Sequence, residues 1–169
     1  MSETVICKIE YIVYKSPEEM EPGDRELFEA ARSAMDLAYA PYSHFHVGAA
    51  ARVKDGSIVR GANQENASYG LTICAERSTL FTVNNLGYGD QVTALAIMAK
   101  GESFETDTPV APCGACRQVI KEFQDRAGGS ITIIFSGSTG PIHRYRSIDD
   151  LLPGSFGASD FQREEIACE

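Results

Sequence analysis

Five cysteines occur in the chain, and three of them stand where a thiol can ligate a metal. Cys113 and Cys116 lie three residues apart in Pro112-Cys113-Gly114-Ala115-Cys116, a spacing that puts both thiols on one face of a helix's first turn. The partial positive charge of a helix N-terminus favours thiolate over thiol, and two thiolates so placed are half of a tetrahedral zinc site. The pair alone is also compatible with a dithiol redox couple or with two core thiols. Cys74, in Thr72-Ile73-Cys74-Ala75-Glu76-Arg77, opens a second helix after a strand and loop. In an α/β sheet such junctions gather at the carboxyl ends of strands, so three sulfurs converge on one ion.

Glu76 follows Cys74 by two. In mid-helix the two side chains stand about 200° apart, but in the first turn side chains lean back towards the N-terminus, and the carboxylate reaches round to the metal's open position. The plainer role is a first-turn carboxylate that complements the helix dipole. Cys7, Cys168, His44, His46 and His143 show no ligand spacing relative to the three cysteines. That leaves a three-ligand site with a place for water, the mark of catalytic rather than structural zinc. Three thiolates over-neutralise a divalent ion and oppose ionisation of its water. Arg77, one turn from Cys74, supplies compensating charge beside the sulfurs; its plainer role is a surface ion pair.

Around these residues the periodicities place the elements. Residues 5–14 alternate as a strand, an extra one at the edge of the fold. Ser16-Pro17-Glu18-Glu19 starts a short helical turn that Pro22-Gly23 stops. Residues 24–39 have helical spacing at Leu27, Ala31, Ala34 and Ala38, ended by Pro41. Asp55-Gly56 joins two strands as a hairpin. A helix over 74–86, a strand over 92–100, a helix from about Cys113, the apolar strand 131–135, a short strand over 142–145 and the Ser147-Ile148-Asp149-Asp150 segment follow. The last twelve residues read as a surface helix or frayed tail. Hairpin, then alternating helix and buried strand, predicts an α/β fold: a three-layer α-β-α sandwich around a five-stranded mixed sheet, with the possible extra N-terminal strand.

The 169 residues carry 24 acidic against 15 basic side chains, a net charge of -9, which disfavours nucleic acid as a partner. No apolar run approaches the ~18 residues of a membrane span, and the N-terminus lacks the pattern of a signal peptide. The odd cysteine count argues against a disulfide framework and for reduced thiols in the cytoplasm.

Cys74-Ala75-Glu76 with Pro112-Cys113-Gly114-Ala115-Cys116 matches the zinc nucleobase deaminase pattern with cysteine as the first ligand. With "AYAPYSHFHVGAA", "GANQENASYGLTICAER", "PCGACRQV" and "LLPGSF", the chain resembles the free-nucleoside cytidine deaminases, the small homotetrameric class with three cysteine ligands. The resemblance runs from about residue 30 to 160. It implies one zinc per chain on Cys74, Cys113 and Cys116, Glu76 as acid and base, and deamination of cytidine and deoxycytidine in pyrimidine salvage. It also implies that Phe45 packs on the pyrimidine and that Asn63 and Glu65 hold the ribose hydroxyls. Ala75 would offer its N–H to the base carbonyl, Phe156 would close a neighbouring subunit's site, and Tyr69 would fall near a subunit contact. Residues 1–22 stand as an N-terminal extension and 23–169 as the deaminase domain. His46 lies where the family varies and receives no role.

Overall fold

The computed structural model describes residues 2–161. Its strands are β1 (Tyr11–Tyr14), β2 (Phe45–Val53), β3 (Ile58–Ala62), β4 (Val92–Gly101), β5 (Thr132–Ser136) and β6 (Ile142–Tyr145); its longer helices are α1 (Pro22–Ala34), α2 (Ala75–Asn85) and α3 (Gly114–Ala127). The strands form one sheet in the order β1-β6-β5-β4-β2-β3. β4 and β5 run parallel, and the other neighbours antiparallel. The sheet therefore has six strands rather than five, the sixth being the N-terminal one. That strand is shorter than its alternation predicts, because a ladder needs a partner and β6 offers only Ile142 to Tyr145 opposite Tyr11 to Tyr14.

Alternation along β4 builds the layers. Leu95 and Ile97 join Leu80 and Val83 of α2 and Ile120 and Phe123 of α3 in one buried cluster. Ala94, Ala96 and Met98 join Leu27, Phe28 and Ala31 of α1 in another, on the opposite face. This is the expected three-layer sandwich. Small residues let the helices approach closely: a Cβ on Gly48 would run into the Ala31 carbonyl of α1, and one on Gly61 into Thr79 of α2. Thr79 Oγ1 bonds the Ala49 carbonyl at 3.3 Å, which seats α2 on β2.

Two boundaries differ from the sequence reading. Pro22 does not merely stop the preceding 3-10 turn, Pro17–Glu19, but is the first residue of α1, where its missing N–H costs nothing. The helix expected to reach residue 39 ends at Ala34, followed by a 3-10 turn over Met35–Leu37. Tyr39 then bridges Gln64, as suits a segment running into Pro41, whose ring disfavours helix at Ala40. The hairpin is as predicted: Gly56 has φ 91, and Asp55 Oδ1 accepts the Ser57 N–H at 2.8 Å. Of the C-terminal segment, Ala158–Phe161 forms a 3-10 helix; the rest, with Cys168, lies outside the described residues. Among the described residues no helix is long and apolar enough to cross a membrane.

Candidate active site

α2 and α3 both begin at a cysteine. Cys74 is the N-cap of α2 and Cys113 the N-cap of α3, both in extended backbone, and neither side chain bonds its own helix. Ser 78 and Arg117 close the first turns by donating to the carbonyls of Cys74 and Cys113 at 3.0 and 2.9 Å. An N-cap usually offers an oxygen to the free N–H groups, and doing without one costs about 1 kcal/mol. Two helices that forgo it at one place leave two thiols for another task. Cys116, in the first turn of α3, is fully buried. The sulfurs of Cys74, Cys113 and Cys116 all lie within 4.8 Å of one another.

Protons in this cluster are unequally shared. The Cys116 thiol donates to Cys74, and with Arg77 beside it Cys74 is held down to about 5 despite burial. Cys116 is pushed up by giving that hydrogen bond, by burial and by the charge of Glu76. Glu76 is 4% exposed, and its carboxyl is pushed up first by burial and then by the Cys74 thiolate. Arg77 Nη2 lies 3.7 Å from Cys74 Sγ and 3.3 Å from the Thr72 carbonyl. The expected guanidinium beside the sulfur is thus present.

The residues fit a zinc ion. Sulfurs around a tetrahedral zinc at 2.3 Å stand about 3.8 Å apart, a small contraction of the cluster. Arg77 Nε is buried and unpartnered, a state that costs about 1–3 kcal/mol, and the sulfurs of Cys74 and Cys116 are the charges acting on this guanidinium. Among the described residues no fourth protein ligand joins. His44 and His46 are engaged with Glu102, His143 sits between Tyr11 and Phe135, and Cys7 is exposed before β1. One zinc per chain with an open position suits this donor set.

The other expected residues lie at the start of β2, between β3 and α2, at the start of α2, and after α3. Asn63, buried, donates from Nδ2 to the Phe45 carbonyl and accepts from Val47 N, both at 2.9 Å; it mends the end of β2 beside Phe45. Glu65 Oε2 accepts the N–H groups of Tyr42 and Ser43 at 2.9 and 3.2 Å, and these bonds, with the Ser43 hydroxyl foremost, hold its carboxyl below its ordinary range. Tyr69 meets Tyr42 edge-on at 5.7 Å across a hollow that Ser43, Glu65 and Thr72 complete. Ala75 is buried as the first residue of α2. Phe156 stands apart, 57% exposed; its carbonyl is held by Gln118 of α3 at 2.9 Å and its ring meets Phe161. The sequence reading gave no role to Arg117. Its guanidinium donates to the carbonyls of Pro112 and Leu151, both at 2.8 Å, and so fixes the loop before Cys113 to the segment that leads to Phe156. Its place beside Cys116 was the available signal.

Known proteins resemble this chain over most of its length. Residues 22–128 match the family described as the cytidine and deoxycytidylate deaminase zinc-binding region. The cytidine deaminase of Halalkalibacterium halodurans is 46% identical over 138 residues, 81% of this chain and 97% of that protein. The cytidine deaminase of Mycobacterium tuberculosis is 45% identical over 79% of this chain and 90% of its own. The crystal structure of cytidine deaminase from Burkholderia pseudomallei superposes with a TM-score of 0.69 at 43% identity, covering 78% of this chain and 97% of that one.

Proposed function

The chain belongs to the family of cytidine and deoxycytidylate deaminases, and we infer that it hydrolyses cytidine and deoxycytidine to uridine and deoxyuridine with release of ammonia, a reaction of pyrimidine salvage. The observation that carries this reading is the meeting of three sulfurs within 4.8 Å at two helix N-termini, with a buried carboxylate two residues after the first.

Cys74, Cys113 and Cys116 hold one zinc, which when bound supplies the Lewis acidity that makes a water ionisable near neutral pH. Glu76 takes a proton from the attacking water and delivers it to N3 of the pyrimidine. It then takes the remaining proton of the new C4 hydroxyl and hands it to the amine, so that the C4 carbonyl forms as the C4–N bond breaks and ammonia leaves. Its burial suits both halves of the task, since a carboxylate pushed up by desolvation accepts a proton more readily than an ordinary one and can still return it near neutral pH. Arg77 offsets the charge of the sulfurs. The Ala75 N–H, one of the free donors of the first turn of α2, bonds the carbonyl at C2.

Phe45 is the face on which the base rests. Asn63 and Glu65 hold the ribose hydroxyls, each oriented by the backbone bonds it already makes; Glu65 spends Oε2 on Tyr42 and Ser43, so Oε1 faces the sugar. Phe156 closes the site of a neighbouring subunit and Tyr69 lies at a subunit contact. Exposed aromatics on loops of this kind mark contact surfaces and support a homotetramer. The net charge of -9 sets the chain against polynucleotide substrates. Residues 23–169 form the deaminase domain, to which 1–22 add an extension, and the enzyme works in the cytoplasm.

A spectrophotometric assay of cytidine conversion, run with and without a zinc chelator on protein of measured metal content, tests the reading. Turnover that disappears with the zinc and returns on its restoration is expected. Undiminished turnover in metal-free protein would sink it.

A further inference from the structure

The two histidines that flank Phe45 have no part in the chemistry above, yet one carboxylate holds both. His44 Nδ1 lies 3.0 Å from Glu102 Oε2, and His46 Nε2 lies 2.8 Å from Glu102 Oε1. The Glu102 N–H also donates to the His44 carbonyl at 3.0 Å. Phe45 is thereby bracketed on both sides by residues tied to a single side chain at the end of β4. His44 has φ 54, a left-handed conformation uncommon for a residue with a Cβ, so the backbone entering Phe45 is held in a shape that needs support. A carboxylate that grips both neighbours of one aromatic has geometry to impose beyond that of a single exposed contact.

Two residues beyond Glu102 comes a second support. Phe104 lays its ring almost parallel to that of Phe45, centroids 6.2 Å apart and planes 9° apart, within the range of attractive aromatic pairs. Gly101, opposite Phe45 in the β2–β4 register, makes room, since a Cβ there would run into the Phe104 ring. Phe45 shares a strand face with Val47, Ala49 and Ala51 by the period of two, and these pack with α2 and α3, the helices that carry the cysteines. His46 lies on the other face, beside Met35, Asp36 and Lys100.

We propose that Glu102 and Phe104 are positioning residues for the nucleoside: Glu102 ties together the side chains of the residues on either side of Phe45, Phe104 backs its ring, and together they set the tilt at which that ring meets the pyrimidine. The proposal rests on the reading of Phe45 as the face for the base. Both of these supports come from one short segment, residues 101–104, at the carboxyl end of β4.

The test is steady-state kinetics with cytidine for Phe104→Ala, Glu102→Ala and Phe45→Ala, with zinc content and Tm for each. The first two should raise KM about threefold to tenfold, the range aromatic pairing contributes, with kcat within about twofold of wild type and zinc unchanged. Phe104→Tyr, which keeps the ring, should restore KM. Adding Phe104→Ala to Phe45→Ala should raise KM no further, because no ring remains to be oriented. If Phe45→Ala raises KM while Phe104→Ala and Glu102→Ala leave it unmoved, or if the effects simply add, the positioning role is overturned and the reading of Phe45 stands. A KM unmoved by Phe45→Ala overturns both. A fall in kcat and zinc together, with KM unchanged, marks general damage and also overturns the positioning role.

Discussion

The N-termini of α2 and α3 start from the same backbone device and divide the work between them. Each opens on a cysteine N-cap without a capping bond to its own helix, and each carries an arginine close behind. In α2 the arginine turns to a sulfur, 3.7 Å from Cys74 Sγ, and one of the two residues between them is a buried carboxylate, Glu76. In α3 the arginine turns to two carbonyls, those of Pro112 and Leu151, and the first turn supplies a second sulfur in place of an acid. In the proposed mechanism the α2 end handles charge and protons and supplies one sulfur, while the α3 end supplies the other two and braces the chain. Two like scaffolds can thus take on unlike chemistry through the choice of two or three side chains.

The largest effect expected is from Cys113→Ala, which should leave the protein with less than one zinc per chain and with activity falling in proportion, read by metal analysis beside the cytidine assay. Were activity to survive without the metal, α3 would not be the anchoring end. Glu76→Gln should next lower kcat by about 10²–10⁴-fold while zinc and nucleoside binding persist; near-normal turnover would remove the proton-handling role from α2. Arg77→Gln takes positive charge from an anionic site, so ionisation there becomes harder. The pH–rate profile should move to alkaline pH, or zinc affinity should fall about tenfold to a hundredfold. Smallest should be Arg117→Met, which strips hydrogen bonds from two carbonyls at about 0.5–1.5 kcal/mol each and lowers Tm by a few degrees, with the pH–rate profile unmoved. If Arg117→Met shifts that profile as far as Arg77→Gln does, the division between the two ends collapses.

Local signals carried far in this chain. The cysteine spacings, the first-turn place of Glu76 and the Asp55-Gly56 turn all depend on neighbours within a few positions, and the structure puts each where such neighbours dictate. The strand predicted over 5–14 shows the converse: its alternation is real, but only Tyr11 to Tyr14 find partners, because the length of a ladder is decided by a strand far off in sequence. The end of α1 was likewise decided by Tyr39 bridging Gln64, and not by the apolar spacing that continues past Ala34. Arg117 reaches Leu151 across 34 residues, and His44 reaches Glu102 across 58. No periodicity in either segment foretells such pairings. The sequence therefore speaks clearly where chemistry sits on a single helix turn, and falls silent where loops from different strands meet.

The pairing of β1 with β6 bears on how the chain is made. Tyr11 finds its partner in Tyr145, 134 residues later, whereas Cys74, Cys113 and Cys116 have all been synthesised well before that strand exists. At ribosomal speeds of about 5–20 residues per second, the first strand leaves the exit tunnel roughly 7–27 s ahead of its mate. For that interval Tyr11, Ile12 and Val13, each still about half exposed in the finished fold, present an unclaimed apolar edge to every other nascent chain nearby.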